Sequence, residues 1–234
     1  VASRTNSPRF NPAGWQFRMR LLVLGANSDI GLATARKFAQ AEKADIYLAS
    51  RDIERLQKKA KDLEIRYQVQ AQALTFDALE YASHEAFYER LDPKPDIVVL
   101  AFGYLGEQRA SQADFHEAKR VTETNFLGAV SILEIIAADL ETKKHGVIVG
   151  LSSVAGERGR QSNYLYGAAK GALSVYLSGL RNRLFTNNVR VITVLPGFVR
   201  TRMTEDMALP KPLVAEPEAV AEAIYAAYKR KRDV

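Results

Sequence analysis

The sequence predicts a single α/β domain, a Rossmann-type doubly wound parallel sheet with helices on both faces. Two observations carry this. From Met19 onward short apolar runs alternate with amphipathic stretches. The runs are rich in Val, Ile and Leu and mostly lack period-two alternation, as strands buried on both faces require. The first run also ends in a glycine turn that leads at once into a helical pattern, which is where open α/β sheets hold phosphates.

Taken in order, Arg20–Leu24 is the first strand and stops at Gly25, and Ile30–Gln40 follows as a helix. Asp45–Ala49 is the second strand, with a helix over Ile53–Leu63. Ala73–Phe76 is the third, followed by a shorter helix, Glu85–Leu91. Asp96–Ala101 is the fourth. Ala113–Glu141 is long enough for one long helix or two shorter ones. Gly146–Leu151 is the fifth strand, Asn163–Phe185 the next helix, Val189–Leu195 the sixth strand and Glu218–Lys229 the last helix. Pro217 sits near the start of that helix, where a missing N–H is tolerated. No linker, repeat or low-complexity segment interrupts residues 19–234, which are expected to form one dinucleotide-binding catalytic domain. Residues 1–18 hold two prolines and no apolar core. They are expected to be a flexible arm or an added remnant rather than a signal peptide.

Composition narrows the function classes. The net charge is +6, with local excesses at Arg4, Arg9, Arg18 and Arg20 and at Lys229, Arg230, Lys231 and Arg232. Such a balance admits a nucleic acid, an anionic membrane surface or an anionic small molecule. Most charges are interspersed with acids, however, and no nucleic-acid reading motif is present, so nucleic acid is not expected. The absence of cysteine excludes disulfide and thiol chemistry and suits the cytoplasm. The three histidines, His84, His116 and His145, lie far apart, and no metal is expected. No apolar run reaches the roughly 18–20 residues of a spanning helix, so no transmembrane segment is expected.

The first strand leads into Gly25-Ala26-Asn27-Ser28-Asp29-Ile30-Gly31. Glycine lets a backbone approach a pyrophosphate closely, and the helix that follows offers free N–H groups. The same glycines would also serve helix–sheet packing alone. Ser50 and Arg51 end the second strand, where an acid receives ribose hydroxyls in NAD binders and Arg suits a 2′-phosphate. Arg51 favours NADP over NAD. It would equally cap the strand or stack on adenine, and Asp52 lies beside it.

Ser152 and Ser153 follow the fifth strand, and Tyr166-Gly-Ala-Ala-Lys170 opens the next helix. The i, i+4 spacing puts the phenol and the ammonium on one face. A neighbouring ammonium stabilises phenolate, so Lys170 is expected to lower the Tyr166 pKa from its reference near 10. A phenol tuned in this way exchanges a proton with a carbonyl or alcohol oxygen, and Ser153 can hold the same oxygen. The spacing alone is unspecific: Tyr225 and Lys229 repeat it in the last helix, without a strand-end serine before them.

With these motifs in this order, the chain from Met19 to its end resembles the short-chain dehydrogenase/reductase family. The resemblance rests on Gly25–Gly31, Asp77 after the third strand, Asn125 in Thr-Asn-Phe-Leu-Gly, Ser153-Val-Ala-Gly, Tyr166-x-x-x-Lys170 and Pro196-Gly197-Phe-Val-Arg-Thr201. It implies Tyr166 as acid/base, Lys170 as the group that tunes it and binds the nicotinamide ribose, Ser153 on the substrate oxygen and Asn125 positioning a relay water. It also implies Asp77 on the adenine, and Val199 with Thr201 on the carboxamide. The reaction implied is hydride transfer between a nicotinamide cofactor and a carbonyl or alcohol carbon of a small molecule.

The sequence departs from the pattern in three places. Asp29 replaces the middle glycine, placing an anion close to the pyrophosphate unless it turns away as a helix-end residue. After the fourth strand, Leu100-Ala101-Phe102-Gly103 replaces Asn-Asn-Ala-Gly and loses the bracing side-chain amides. The chain stops at Val234, where the family adds a last strand, so the sheet is expected to lack an edge strand or the C-terminal edge to be truncated. Residues 101–106, 155–158 and 199–204 are similar to a bacterial branch that reduces keto sugars carried on polyprenyl phosphates. That similarity implies a lipid-linked keto sugar and a peripheral place at the membrane. The family also implies a homodimer or homotetramer built on Ala113–Glu141 and Asn163–Phe185. The alternative reading is a catalytically silent NAD(P)-sensing regulator on the same fold. An epimerase shares the Tyr/Lys pair but needs a longer C-terminal substrate region.

Overall fold

In a computed structural model, residues 18–205, 207 and 210–234 are described. The expected arm at residues 1–17 lies outside them. The elements are β1 (Arg20–Leu24), α1 (Asp29–Glu42), β2 (Asp45–Ser50), α2 (Ile53–Tyr67), β3 (Ala71–Thr75), α3 (His84–Glu89), β4 (Ile97–Leu100), α4 (Gln108–Ala113) and α5 (Phe115–Thr122). A π turn (Glu123–Leu127) leads into α6 (Gly128–Lys143). There follow β5 (Gly146–Leu151), α7 (Tyr164–Leu184), β6 (Val189–Val194), β7 (Phe198–Val199), β8 (Val214–Ala215) and α8 (Pro217–Arg230).

Six parallel strands form one sheet in the order β3-β2-β1-β4-β5-β6, the doubly wound architecture expected from the sequence. The chain runs outward through β2 and β3 on one side of β1, then crosses to β4 on the other. The carboxyl ends of β1 and β4 therefore open a crevice at the switch point, with Leu24 level with Leu100.

The unbroken apolar runs reflect two cores. On one face Leu22, Leu24, Val98 and Leu100 pack with Ile132, Leu133, Ile136 and Leu177. On the other, Leu21, Val23 and Val99 pack with Phe38 and Ile224. Tyr225 and Tyr228 of α8 close over Phe38, with ring centroids 5.4 and 5.3 Å away. Tyr225 and Lys229 both bond Glu42, so this second Tyr-x-x-x-Lys pair joins α8 to α1.

The Ala113–Glu141 pattern becomes one helical rod from Phe115 to Lys143, interrupted only by the π turn. The rod is long and apolar enough to cross a membrane by length and composition, but Ile132, Leu133 and Ile136 are buried against the sheet. Helix α4 was not expected. It is a short turn opened by Glu107, whose carboxylate accepts from the N–H groups of Arg109 and Ala110. The β7–β8 pair was not expected either, because two-residue strands carry no periodicity. At the other edge of the sheet, the Thr193 N–H of β6 donates to the Asp233 carbonyl. The closing residues thus run beside β6 without forming a seventh strand among the described residues.

Two contacts set the loop after β3. Buried His84 bonds the Asp77 carbonyl (2.9 Å) and the Ser131 hydroxyl (2.8 Å) and stacks on Phe76. Gly128 lies so close that a Cβ there would meet the Ala78 carbonyl oxygen at 2.4 Å. Gly128→Ala is therefore expected to cost about 1–3 kcal/mol by overpacking. A lower urea midpoint with unchanged slope would show it; an unchanged midpoint would refute it.

Candidate active site

A cleft of about 550 Å³ lies beyond the carboxyl ends of the strands. All of the sequence-predicted site residues line it except Gly31 and Asn125. Gly31 instead faces the sheet, where a Cβ would lie 3.0 Å from the Ala101 Cβ. It serves helix–sheet packing, the simpler of the two roles the sequence allowed.

At the turn, Gly25 has φ +86°, which disfavours any side chain, and a Cβ there would strike the Phe102 nitrogen at 2.4 Å. The loop after β4 thus abuts the turn by backbone. The Phe102 ring packs toward Phe76, with centroids 5.8 Å apart, and these contacts stand where side-chain amides were missing. Ser28 caps α1 by accepting from Gly31 N–H. Asp29 is turned toward Arg202, whose backbone N–H donates to its carboxylate at 3.0 Å. Asn27 donates to the Ser50 hydroxyl and the Asp52 carbonyl, while its own Oδ1 is buried without a hydrogen-bond partner. Arg51 is exposed and makes no ion pair among the described residues.

Ser153, Tyr166 and Lys170 meet at the far wall of the cleft. Lys170 is 3% exposed, and its ammonium donates to the Leu151 carbonyl at 2.9 Å. Its own carbonyl accepts from the Ser152 hydroxyl at 2.8 Å, so α7 is pinned to the end of β5. The Lys170 Nζ lies 5.8 Å from the centre of the Tyr166 ring. Burial pushes the Lys170 amine down to about 8. It pushes the Tyr166 phenol up to about 12, against a lowering by the Ser153 side chain. The expectation that Lys170 depresses the phenol is thereby corrected. Desolvation dominates, and the lysine, whose ammonium bonds a backbone carbonyl, is not among the groups that lower the phenol.

Asn125 sits in the π turn, 1% exposed, behind the cleft wall. Its amide donates to the Tyr104 and Val121 carbonyls at 2.6 and 2.8 Å, and its Oδ1 accepts from Tyr104 N–H at 3.1 Å. It braces the Gly103–Tyr104 backbone, beside which Lys170 also lies. Asp77 lines the cleft, and its Oδ1 accepts from Leu79 N–H. Val199 is buried in β7, and Thr201 and Thr204 cap each other in the turn that follows.

Sequence reasoning missed several cleft residues: Arg55, Arg120, Arg160, Asn163, Phe198, Arg202, Met203 and Met207. Phe198, Arg202 and Met203 stand in the Pro196–Thr201 and 199–204 stretches that the sequence singled out, and Arg55 lies one helical turn beyond Arg51 at the start of α2. The others come from loops and helix faces that only the tertiary fold brings together. Arg120 lies over the Tyr104 ring, 4.5 Å from its centre. Behind the turn, half-buried Lys59 donates to the Ala26 carbonyl. Burial and the cations Arg55, Arg202 and Arg36 push its amine down to about 8, with Asp29 opposing.

The residues fit a dinucleotide. The turn backbone is bare at Gly25, the first turn of α1 faces the cleft, and the orphaned Asn27 oxygen waits beside Ser50 for a hydroxyl donor. Comparisons with known proteins agree. The family model for short chain dehydrogenases matches residues 20–211. The chain belongs to the short-chain dehydrogenase family and is an NAD(P)-dependent oxidoreductase. It is similar to an uncharacterised oxidoreductase of Mycobacterium tuberculosis, 37% identical over 206 residues, covering 87% of this chain and 82% of that one. An NADP-dependent 3-hydroxy acid dehydrogenase of Schizosaccharomyces pombe is 28% identical, with 92% and 88% covered. Among solved structures, a short-chain dehydrogenase from Sphingobium yanoikuyae in complex with NADPH superposes with a TM-score of 0.83 at 25% identity, covering 92% and 86%.

The depressed Lys170 amine has a stability consequence. Between pH 8 and 10.5 the unfolded chain holds a proton that the folded chain has released, so this group makes stability rise with pH. Lys170→Met removes that rise. The stability of the wild type relative to the variant should grow by on the order of 3 kcal/mol across this range. Denaturant melts at stepped pH measure it, and parallel curves would refute it.

Proposed function

We propose that this protein is a carbonyl reductase in which Tyr166 donates the proton, Ser153 holds the substrate oxygen and Lys170 supports both. The observation that supports it most is that these three side chains and the glycine turn line one continuous cleft. The bound nicotinamide supplies the hydride. Tyr166, kept protonated through neutral pH by burial, is in the state a general acid needs. Ser153 keeps its hydroxyl near the strand end while its oxygen accepts Ala155 N–H, which leaves its proton to point at a carbonyl oxygen. Lys170 holds the ribose and adds positive charge beneath the phenol as the proton leaves. Asn125 keeps the Gly103–Tyr104 turn in place from behind the cleft wall, which replaces the water-positioning part implied for its side chain.

On this reading the turn residues Asn27, Ser28, Asp29 and Ile30 hold the pyrophosphate end, Asp77 the adenine, and Ala101, Phe102 and Gly103 the middle of the cofactor. Val199 and Thr201 hold the carboxamide, and Pro196 and Gly197 belong to the same cofactor site. NADP is favoured over NAD. Arg51 and Arg55 flank the ribose position, and no acid at Ser50 competes for it. The NADP named for the fission yeast relative points the same way. The substrate side is apolar at Leu105, Phe198, Met203 and Met207 and cationic at Arg120 and Arg160. That mix suits a keto sugar on a lipid phosphate, handled by a cytoplasmic enzyme at the membrane surface. Exposed Phe115, Leu127, Val175 and Phe185 on the helical rod and α7 support a homodimer or homotetramer.

Tyr166→Phe is expected to cut turnover of NADPH with ketones at least about a thousandfold, while NADPH binding by fluorescence stays within about threefold. Retained turnover would leave the silent-sensor reading and remove this one. The pH dependence has a definite sign. Reduction should hold up through neutral pH and fall once Lys170 loses its proton near pH 8, whereas alcohol oxidation should climb with pH. Arg51→Asp should lower the NADPH/NADH ratio of kcat/KM by about tenfold or more; an unchanged ratio would exclude Arg51 as the 2′-phosphate ligand.

A further inference from the structure

Asp29 opens α1 at the point where the helix N-terminus meets the cleft, so a carboxylate stands where a phosphate group would approach. The helix dipole favours the acid, but a pyrophosphate at the same helix end would be repelled by it. The structure answers this from 173 residues away. The Arg202 N–H donates to one Asp29 oxygen at 3.0 Å, and the guanidinium Nε lies 3.8 Å from the other. A second guanidinium nitrogen donates to the Asn27 carbonyl on the same turn.

The segment bearing Arg202 is itself braced. The Thr204 hydroxyl donates to the Val199 carbonyl at 2.6 Å, and Arg200 N–H donates to the Ala215 carbonyl at 2.9 Å. Arg202 is also surrounded by its own charge, with Arg55 and Lys59 close by. Only an acid compensates a third cation there, and Asp29 is that acid.

We propose that Arg202 is a positioning residue for the cofactor. By pairing with Asp29 it holds that carboxylate off the pyrophosphate and ties the Phe198–Thr204 segment across the phosphate end of the cleft. The inference rests on the cofactor phosphates lying over the Gly25–Gly31 turn, as proposed above. Its signature is conditional: Arg202 matters to binding because Asp29 is there.

The test is a fluorescence titration of NADPH and NADH against wild type, Arg202→Gln, Asp29→Asn and the double variant, each checked by thermal melt. Arg202 is exposed on a loop, so its replacement leaves the core intact. Arg202→Gln should weaken binding about tenfold or more at low salt, and high salt should shrink that loss. The double variant should return to within about threefold of wild type, and Arg202→Lys should lie between. If Arg202→Gln binds like wild type, the proposal fails. It fails equally if the double variant stays as weak as Arg202→Gln, since Arg202 would then act on the cofactor without Asp29. If the wild type binds neither cofactor, the cofactor reading itself falls, and this inference with it.

Discussion

The buried ammonium of Lys170 ties the chemistry of this protein to its fold. A charge taken out of water must be compensated by hydrogen bonds. The compensation comes from the Leu151 carbonyl at the end of β5, while Ser152 holds the Lys170 carbonyl. Both bonds need α7 to lie across the end of β5, and that crossing follows from Leu173 and Leu177 packing on the sheet. Gly150 completes the fit, since a Cβ there would meet Leu177 at 2.3 Å. The site is thus a boundary condition of the core: shift the helix and the ammonium loses its carbonyl.

The opposite end of the cleft shows how departures from a motif are absorbed. Loss of the amides after β4 is met by backbone contact between Phe102 and Gly25 and by the packing of Phe102 toward Phe76. Phe76 in turn stacks on His84, which bonds the Asp77 carbonyl. One aromatic chain therefore links the loops after β1, β3 and β4, a task usually given to polar side chains. Apolar contact serves because these loops must be close rather than specifically bonded. The aromatic residues were visible in the sequence, but that they meet one another was not.

Legibility followed the range of the physics. Strands buried on both faces announce themselves locally, and all six strands of the large sheet were readable to within one or two residues at each end. Helices α1, α7 and α8 were likewise readable from their apolar spacing, as was the start of α2, which runs past the expected Leu63 to Tyr67. The cleft residues on the glycine turn and on Tyr166–Lys170 were legible because their spacing is itself the chemistry. Helix α4 was not, since it depends on one capping carboxylate, and the β7–β8 pair was not, since two residues have no period. Arg120 and Arg160 were invisible as site residues because nothing local distinguishes a guanidinium facing a cleft from one facing water. The sign of the Tyr166 shift was missed for a related reason. Spacing reports that an amine is near, whereas burial, which decides the sign, belongs to the folded whole.

Burial acts on both members of the Tyr166–Lys170 pair in the same sense, toward neutrality: the phenol is pushed up and the amine down. The protein's own groups therefore favour a neutral phenol in the cleft wall, beside an amine whose ammonium form bonds the Leu151 carbonyl. Such a pair is poor at holding phenolate, so the protein's own groups keep the proton on Tyr166. The preference comes from desolvation, so it depends on the wall staying closed. Phe198, Met203 and Met207 line the same cleft and remain exposed to solvent. Their segment is the one that Arg202 fastens to the glycine turn. A single stretch of chain, running from Phe198 to Thr204, thus both lines the cleft and is fastened to the glycine turn.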